Sequence, residues 1–289
     1  MISIVIVNFR QNELLIKCVR SIYEKIRSYP FEVIIVNNSP DEDISFLETD
    51  FAELKILKND NNGLAIGRNT GVKVSKFDHI LFLDPDTEMR TDPFSILIPE
   101  FIKTKFGAVG LKMYSTNNIF QLSFGKLPDP EGNSSNRSDE KKFHDMNLDF
   151  ILEKEYEYGY VRFVEYINST AVFMKKSVFE SIGGYNERFF LYYEDADLCQ
   201  RLKRKNLPVF FFPFLKLVHF NESKKELQSF KYFHKNRSKL VYNSLWLSSY
   251  ENFIYRLYFI LKYLFLSFAG FKVVYFKILK LAFLPVSKF

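Results

Sequence analysis

The segment ILFLDPDT, residues 80–87, joins an unbroken apolar run to a polar turn. Four apolar residues in succession, without polar alternation, form the pattern of a short strand buried on both faces, as in a parallel sheet covered by helices. Pro85 biases Asp84 towards extended backbone, so the turn opens with Asp84 still in strand geometry. Residues i and i+2 of an extended chain point to one side, which lets Asp84 and Asp86 face a single ligand. Two carboxylates at a strand end are hard oxygen donors and suit Mg²⁺ or Mn²⁺ bridging the phosphates of a nucleotide. The same Asp-Pro-Asp would also make an ordinary surface turn; its place behind a buried strand favours the ligand.

Upstream, strand-like and helix-like segments alternate. Residues 3–7 (SIVIV) and 32–36 repeat the buried-strand pattern, and 54–57 is a third short strand. Between the first two, residues 13–26 place Leu14, Leu15, Cys18, Val19, Ile22 and Ile26 at helical spacing. A second helix is expected over 64–75, after the turn Asn61-Asn62-Gly63. This alternation means βαβ units, a parallel sheet and an α/β, Rossmann-like fold. Ligands of such sheets bind at the carboxyl ends of the strands, where Asn8, Asn37, Asp41, Asp84 and Asp86 all fall. The segment NNGLAIGRNTG (61–71) is neither a Walker A nor a GxGxxG motif. Its small residues permit either close backbone approach to a ligand, with Arg68 meeting a phosphate, or close helix packing.

Downstream, residues 127–147 read as a long surface loop, 161–174 as strand, 176–182 as a short helix stopped by Gly183-Gly184, 195–205 as a helix and 208–215 as a strand. The aromatic run Phe189-Phe190-Leu191-Tyr192-Tyr193 leads straight into Glu194, Asp195 and Asp197 at the expected helix start. One acidic residue there is ordinary capping. A Glu-Asp pair against four aromatic rings is more than capping needs, and apolar surroundings raise a carboxylate's pKa into the range of a general base. His219 ends the apolar stretch 210–218, either as a structural histidine or as a metal ligand.

The chain has 289 residues, 47% of them hydrophobic, enough for a sizeable core. The two cysteines, Cys18 and Cys199, are far apart, which argues against a disulfide framework and fits a reducing cytoplasm. The opening MISIVIVNF reads as a strand, not a secretory leader. The net charge of +6 is concentrated at the end: residues 250–289 hold Arg256, Lys262, Lys272, Lys277, Lys280 and Lys288 against Glu251 alone. Those 40 residues are about one-third aromatic, against 18% for the whole chain. A nearly neutral body with a basic, aromatic tail points to a membrane surface or an acidic partner and away from nucleic acid. The tail has no uncharged apolar stretch of 18 residues, so it is expected to lie in an anionic interface without spanning it. A buried helical subdomain or a homo-oligomer interface is the competing reading. The expected division is a domain over 1–235 and a helical extension over 236–289.

Taken in order, SIVIVNF (3–9), VIIVNNSPD (33–41), NNGLAIGRNTG, ILFLDPDT and INSTAVFMKKSVFESIGGYNERFFLYYEDADLCQRLKRKN (167–206), followed by VFFFPFLKLVH (209–219), resemble the family 2 glycosyltransferases of the GT-A fold. The likeness is strongest to rhamnosyltransferase-like members that build bacterial surface polysaccharides such as O-antigen and capsule. It implies an inverting transfer from a nucleotide-sugar donor, favoured as dTDP-L-rhamnose with a UDP-hexose next, to a hydroxyl of a polyprenyl-linked glycan. The implied place is the inner face of the cell membrane.

By the same resemblance Asn8, Asn37 and Asp41 meet the nucleoside, Arg68 the diphosphate and Ser169 the donor sugar. Asp84 and Asp86, with His219, hold the metal. Asp195, beside Glu194, is the catalytic base. Two departures weaken the donor assignment: Asn37 stands where many relatives have Asp, and Ser169-Thr170-Ala171 where they often have a Gly-Ala pair. The alternative of another class is a catalytically inert scaffold of a polysaccharide assembly complex.

Overall fold

The computed structural model describes residues 1–129, 148–220, 227–270 and 272–284. The first half runs β1 (Ile2–Asn8), α1 (Asn12–Lys25), β2 (Phe31–Asn37), α2 (Phe46–Asp50), β3 (Leu54–Lys58), α3 (Leu64–Val74) and β4 (His79–Leu83). Then come β5 (Thr87–Met89), α4 (Phe94–Phe101), β6 (Ala108–Tyr114), β7 (Phe120–Gln121), β8 (Phe124–Gly125) and α5 (Leu148–Glu157). The sheet is completed by β9 (Arg162–Val164), β10 (Tyr166–Ile167), β11 (Ala171–Lys175), α6 (Lys176–Ser181), α7 (Glu194–Arg204) and β12 (Val209–His219). Three helices follow: α8 (Gln228–Trp246), α9 (Ser249–Gly270) and α10 (Val273–Leu281).

The main sheet has the order β3-β2-β1-β4-β11-β6-β12-β5. β1 pairs in parallel with both β2 and β4, so the strand order reverses beside β1 and leaves a crevice at the carboxyl ends, where Asn8, Asn37 and Asp84 arrive together. β11 enters antiparallel between β4 and β6. Alternate residues of β1 feed two cores: Ile2, Ile4 and Ile6 pack with α1 and α4, while Val5 packs with α3 and α7. Each such side chain, fully buried, stabilises the fold by roughly 1.5–3 kcal/mol.

The glycines of α3 answer the question its sequence left open. A Cβ at Gly67 would lie 2.7 Å from Val7 Cγ1, and one at Gly71 would overlap Val5. They let α3 lie directly on β1, which is close packing and not a phosphate cradle.

The expected strand over 161–174 is three short strands, each paired differently: β9 with β12, β10 with β8, and β11 inside the main sheet. The expected strand over 208–215 continues to His219, with a register shift between Phe212 and Leu217 around Pro213, whose missing N–H interrupts the ladder. All but the first three residues of the expected 127–147 loop lie outside the described residues. Cys18 and Cys199 are buried free thiols, each pushed up to about 12 chiefly by burial, and are unreactive core residues.

The C-terminal helices form their own core, in which Leu240 of α8 meets Tyr255, Phe259 and Tyr263 of α9 and Ile278 and Leu281 of α10. One residue further along α8, Val241 and Tyr242 pack instead on Phe189, Tyr193 and Ala196. The expected boundary at 235/236 thus falls inside a helix that serves both units.

By length and composition, α9 is apolar enough to cross a membrane, with a mean hydropathy of 1.3 over 18 residues and 22% of that window buried. Of the tail's lysines only Lys262 falls within α9, whereas Lys272, Lys277 and Lys280 lie beyond its end. Its outer face exposes Phe253, Leu257, Leu261, Leu264, Phe265 and Phe268 at helical spacing.

Candidate active site

The crevice floor is built of buried polar groups. Asn8 Nδ2 donates to Asn12 Oδ1 at 2.8 Å and to Asn37 Oδ1 at 3.3 Å. Asn37 Nδ2 donates to the carbonyls of Ser39 and Glu42, both at 3.1 Å. Both asparagines therefore shape the β2 turn from within, while Asn8 Oδ1 is buried without a hydrogen-bond partner. Asp41 stands at the exposed rim, 3.5 Å from Arg10, a residue that carries no local sequence signal.

Arg68 is the hub of the buried polar groups. It is 1% exposed, donates from Nη2 to Asp84 Oδ1 at 2.8 Å and to the Ser169 carbonyl at 2.7 Å, and lies 3.8 Å from Glu194 Oε1. Its guanidinium sits over the rings of Tyr185 and Phe82. Because α3 lies directly on β1, the side chain is drawn beneath the crevice, where it lies between the carboxylates of Asp84 and Glu194. Ser169 presents its carbonyl to Arg68 and donates its hydroxyl to Glu194 Oε1 at 3.0 Å. Burial raises the Asp84 carboxyl's pKa; Arg68 opposes this without cancelling it, and Asp86 adds to it.

Asp86 and His219 are 133 positions apart in sequence and are brought together by the β5–β12 pairing, which sets Thr87 opposite His219. His219 Nε2 lies 3.5 Å from Asp86 Oδ2, and Nδ1 lies 3.2 Å from Gln121 Oε1, which orients the ring. Burial would lower the imidazole's pKa, but the hydrogen bond and charge of Asp86 outweigh it and raise the value. Of the expected metal set, Asp86 and His219 converge while Asp84 turns to Arg68. Among the described residues no group of three His, Cys, Asp or Glu side chains could hold a metal ion. A carboxylate beside an imidazole could supply two ligands to a divalent cation.

Glu194 and Asp195 open α7. Successive helical residues point about 100° apart, so the two carboxylates diverge. Glu194 is 2% exposed and faces Ser169 and Arg68. Asp195 is half-buried, accepts from the Tyr166 hydroxyl at 2.7 Å and also accepts from the Ala196 N–H at 2.8 Å. The pair is thus one half-buried carboxylate and one interior partner of Ser169 and Arg68. Burial, then the Asp195 charge, lifts Glu194 to about 7 against the pull of Arg68. Burial also raises Asp195, with the Tyr166 hydrogen bond opposing.

The loop before this pair is held under strain. Tyr192 and Tyr193 both have positive φ, 68° and 66°, at roughly 1–3 kcal/mol each. Helix α8 keeps them there: Ser238 Oγ donates to the Leu191 carbonyl at 2.8 Å, Arg237 to the Arg188 carbonyl at 3.1 Å, and Trp246 Nε1 to Asp197 at 3.0 Å. Tyr166, Gln121 and Ser238 carried no signal in the sequence, since each meets the site only through long-range pairing.

Gly63 presses the same loop from the other side, with φ 101° and Phe190 O 2.6 Å from where a Cβ would lie. Gly63→Ala is expected to lower unfolding free energy by about 2–4 kcal/mol, read as a lower urea midpoint at unchanged slope.

A sheet of this order, with carboxylates and a histidine at its strand ends, is the GT-A architecture of nucleotide-sugar-dependent glycosyltransferases. Residues 3–154 match the family described as glycosyl transferase family 2, and residues 152–226 match the N-terminal domain of galactosyltransferase. The chain belongs to glycosyl transferase family 2.

It is 26% identical over 213 residues to the low-salt glycan biosynthesis hexosyltransferase Agl10 of Haloferax volcanii, covering 72% of this chain and 63% of that protein. The chain spans less than two thirds of the length of the curated relatives it matches. In fold it is similar to GalNAc-T7 solved with UDP, GalNAc and Mn²⁺, with a TM-score of 0.65 and 13% identity, covering 89% of this chain and 50% of that one. It is also similar to the mannosyltransferase PcManGT of Pyrobaculum calidifontis with GDP-Man and Mn²⁺, with a TM-score of 0.54 and 12% identity, covering 84% and 64%.

Proposed function

We propose that the chain is a metal-dependent, inverting hexosyltransferase that moves a sugar from a nucleotide-sugar donor to a glycan hydroxyl. The carrying observation is the half-buried Asp195 carboxylate, hydrogen-bonded to Tyr166 at the start of α7, with the Asp86–His219 pair at the strand ends beside it in support. Asp86 and His219 would hold a Mg²⁺ or Mn²⁺ ion, which supplies charge neutralisation for the departing diphosphate. Asp195 accepts the acceptor hydroxyl's proton as that oxygen bonds to the anomeric carbon. The bond from that carbon to the phosphate oxygen breaks on the opposite face, and its electron pair leaves with the diphosphate. A single displacement of this kind inverts the anomeric configuration.

The archaeal hexosyltransferase relative supports a hexose donor; dTDP-L-rhamnose remains the favoured one, with a UDP-hexose second. Screening nucleotide sugars for metal-dependent thermal stabilisation tests this, because a ligand that binds only the folded state raises its stability. A chain that no nucleotide sugar stabilises, with or without Mn²⁺, is not this enzyme but the inert scaffold.

The base must be ionised, so turnover rises with pH through the Asp195 pKa. Burial puts that limb above the ordinary aspartate range. Tyr166→Phe removes a hydrogen bond to the ionised form and is expected to move the acid limb of kcat to higher pH.

We also propose that the outer face of α9, with the exposed Lys262 on the same helix, binds the inner, anionic face of the cell membrane and gives access to a polyprenyl-linked acceptor of surface-polysaccharide synthesis. In this view the transferase unit and the helical extension share α8. Leu257→Glu with Leu261→Glu and Phe265→Glu, all on the exposed face, is expected to abolish co-sedimentation with phosphatidylglycerol vesicles. Unchanged sedimentation would remove the membrane role.

A further inference from the structure

A cavity of about 340 Å³ lies between the catalytic loop and the C-terminal helices, apart from the strand-end carboxylates. Its walls come from four places: Asn62 before α3, Glu187 and Phe190 of the loop that leads to Asp195, His234 and Arg237 of α8, and Leu281 and Leu284 at the end of α10. The Phe190 carbonyl accepts from the Leu64 N–H at 2.8 Å, which fixes this wall to the start of the Arg68 helix. The volume is near the lower end of the roughly 300–1,000 Å³ of small-molecule sites, room for one sugar ring with a few carbons attached.

The lining has the chemistry of a ring bearing hydroxyl groups. His234 Nδ1 is buried without a hydrogen-bond partner, although the ring stacks on Phe190 at 4.3 Å. Burial, with Arg237 adding, holds that imidazole at about 4, so near pH 7 it is neutral and can donate or accept one bond. Carboxylate, amide and guanidinium stand around the same space, which suits a polyol better than a simple anion. One end is apolar and opens outward, since Leu281 is buried and Leu284 is 38% exposed beside the exposed Phe283.

We propose that this cavity is an acceptor subsite for a single sugar ring whose apolar aglycone leaves over Leu281 and Leu284. The proposal rests on the glycosyltransfer reading and adds to it a site made partly by the C-terminal helices.

The test titrates the full chain, without donor, with octyl β-D-glucoside, octyl α-L-rhamnoside and octyl β-N-acetylglucosaminide below their micelle-forming concentrations. Octanol and the free sugars serve as separate arms. At least one octyl glycoside is expected to saturate the protein. His234→Ala and the space-filling Leu284→Trp should each weaken it at least tenfold, while Lys235→Ala, on the exposed side of α8, leaves it unchanged. Either variant suffices if the other fails to fold. Saturation by no glycoside, by octanol equally well, or with both folded variants unaffected overturns the subsite. Failure of the glycosyltransfer reading is seen separately, as wild-type protein that no nucleotide sugar stabilises.

Discussion

Asp195→Asn is expected to lower transfer by about 10²–10⁴-fold, the usual range for loss of a positioned general base. The amide keeps the shape and can still face the Tyr166 hydroxyl, which lies 2.7 Å from Asp195 Oδ2, but it cannot take a proton. Nucleotide-sugar binding, read as metal-dependent thermal stabilisation, is expected to persist, because the substitution leaves Asp86, which precedes β5, and His219, at the end of β12, in place. The neighbouring Glu194→Gln separates the two roles the sequence could not. Glu194 is buried against Ser169 and Arg68, so its loss acts on stability first and on rate through the position of Arg68. Comparable turnover by Asp195→Asn, or an equal loss of rate in both variants at unchanged stability, removes Asp195 from the base role.

What the sequence revealed and what it hid divide along one physical line. The parallel half of the sheet could be read from local pattern, since doubly buried strands are apolar runs whose ends are turn residues: β1, β2 and β4 lie where those runs lie, and the edge strand β3, LKILK, shows as a shorter, interrupted one. The antiparallel part could not. β9, β10 and β11 come from one continuous strand-like stretch and are separated only by their partners. The site shows the same limit. Asp84, Asp86 and Asp195 carry their signal in their own flanks, whereas Tyr166, Gln121 and Ser238 become functional only when distant segments meet. Arg68 was found for its charge but its carboxylate partners were not, because sequence shows that a guanidinium is present but not that two glycines draw its helix onto β1.

Its place between Asp84 and Glu194 makes Arg68→Met the substitution with the largest expected effect on stability. Removing one partner of a buried ion pair leaves uncompensated charge and costs about 3–5 kcal/mol. Here two carboxylates lose their cation, Glu194 almost wholly buried and Asp84 24% exposed. Arg68 now opposes the rise in both pKa values, so without it both carboxyls move further up. A carboxyl whose folded pKa exceeds its unfolded one holds extra protons in the folded state, so stability falls as pH rises between the two values. The deficit of Arg68→Met against wild type is therefore expected to be largest near neutral pH and to shrink as pH falls towards the ordinary carboxylate range. Urea unfolding across that window measures it. Arg68→Met with Glu194→Gln removes one of the stranded charges and is expected to be more stable than Arg68→Met alone at neutral pH, a coupling that a double-mutant cycle reads directly. A deficit that does not change with pH, in single and double variants alike, would assign the loss to packing over Tyr185 and Phe82, with charge playing no part.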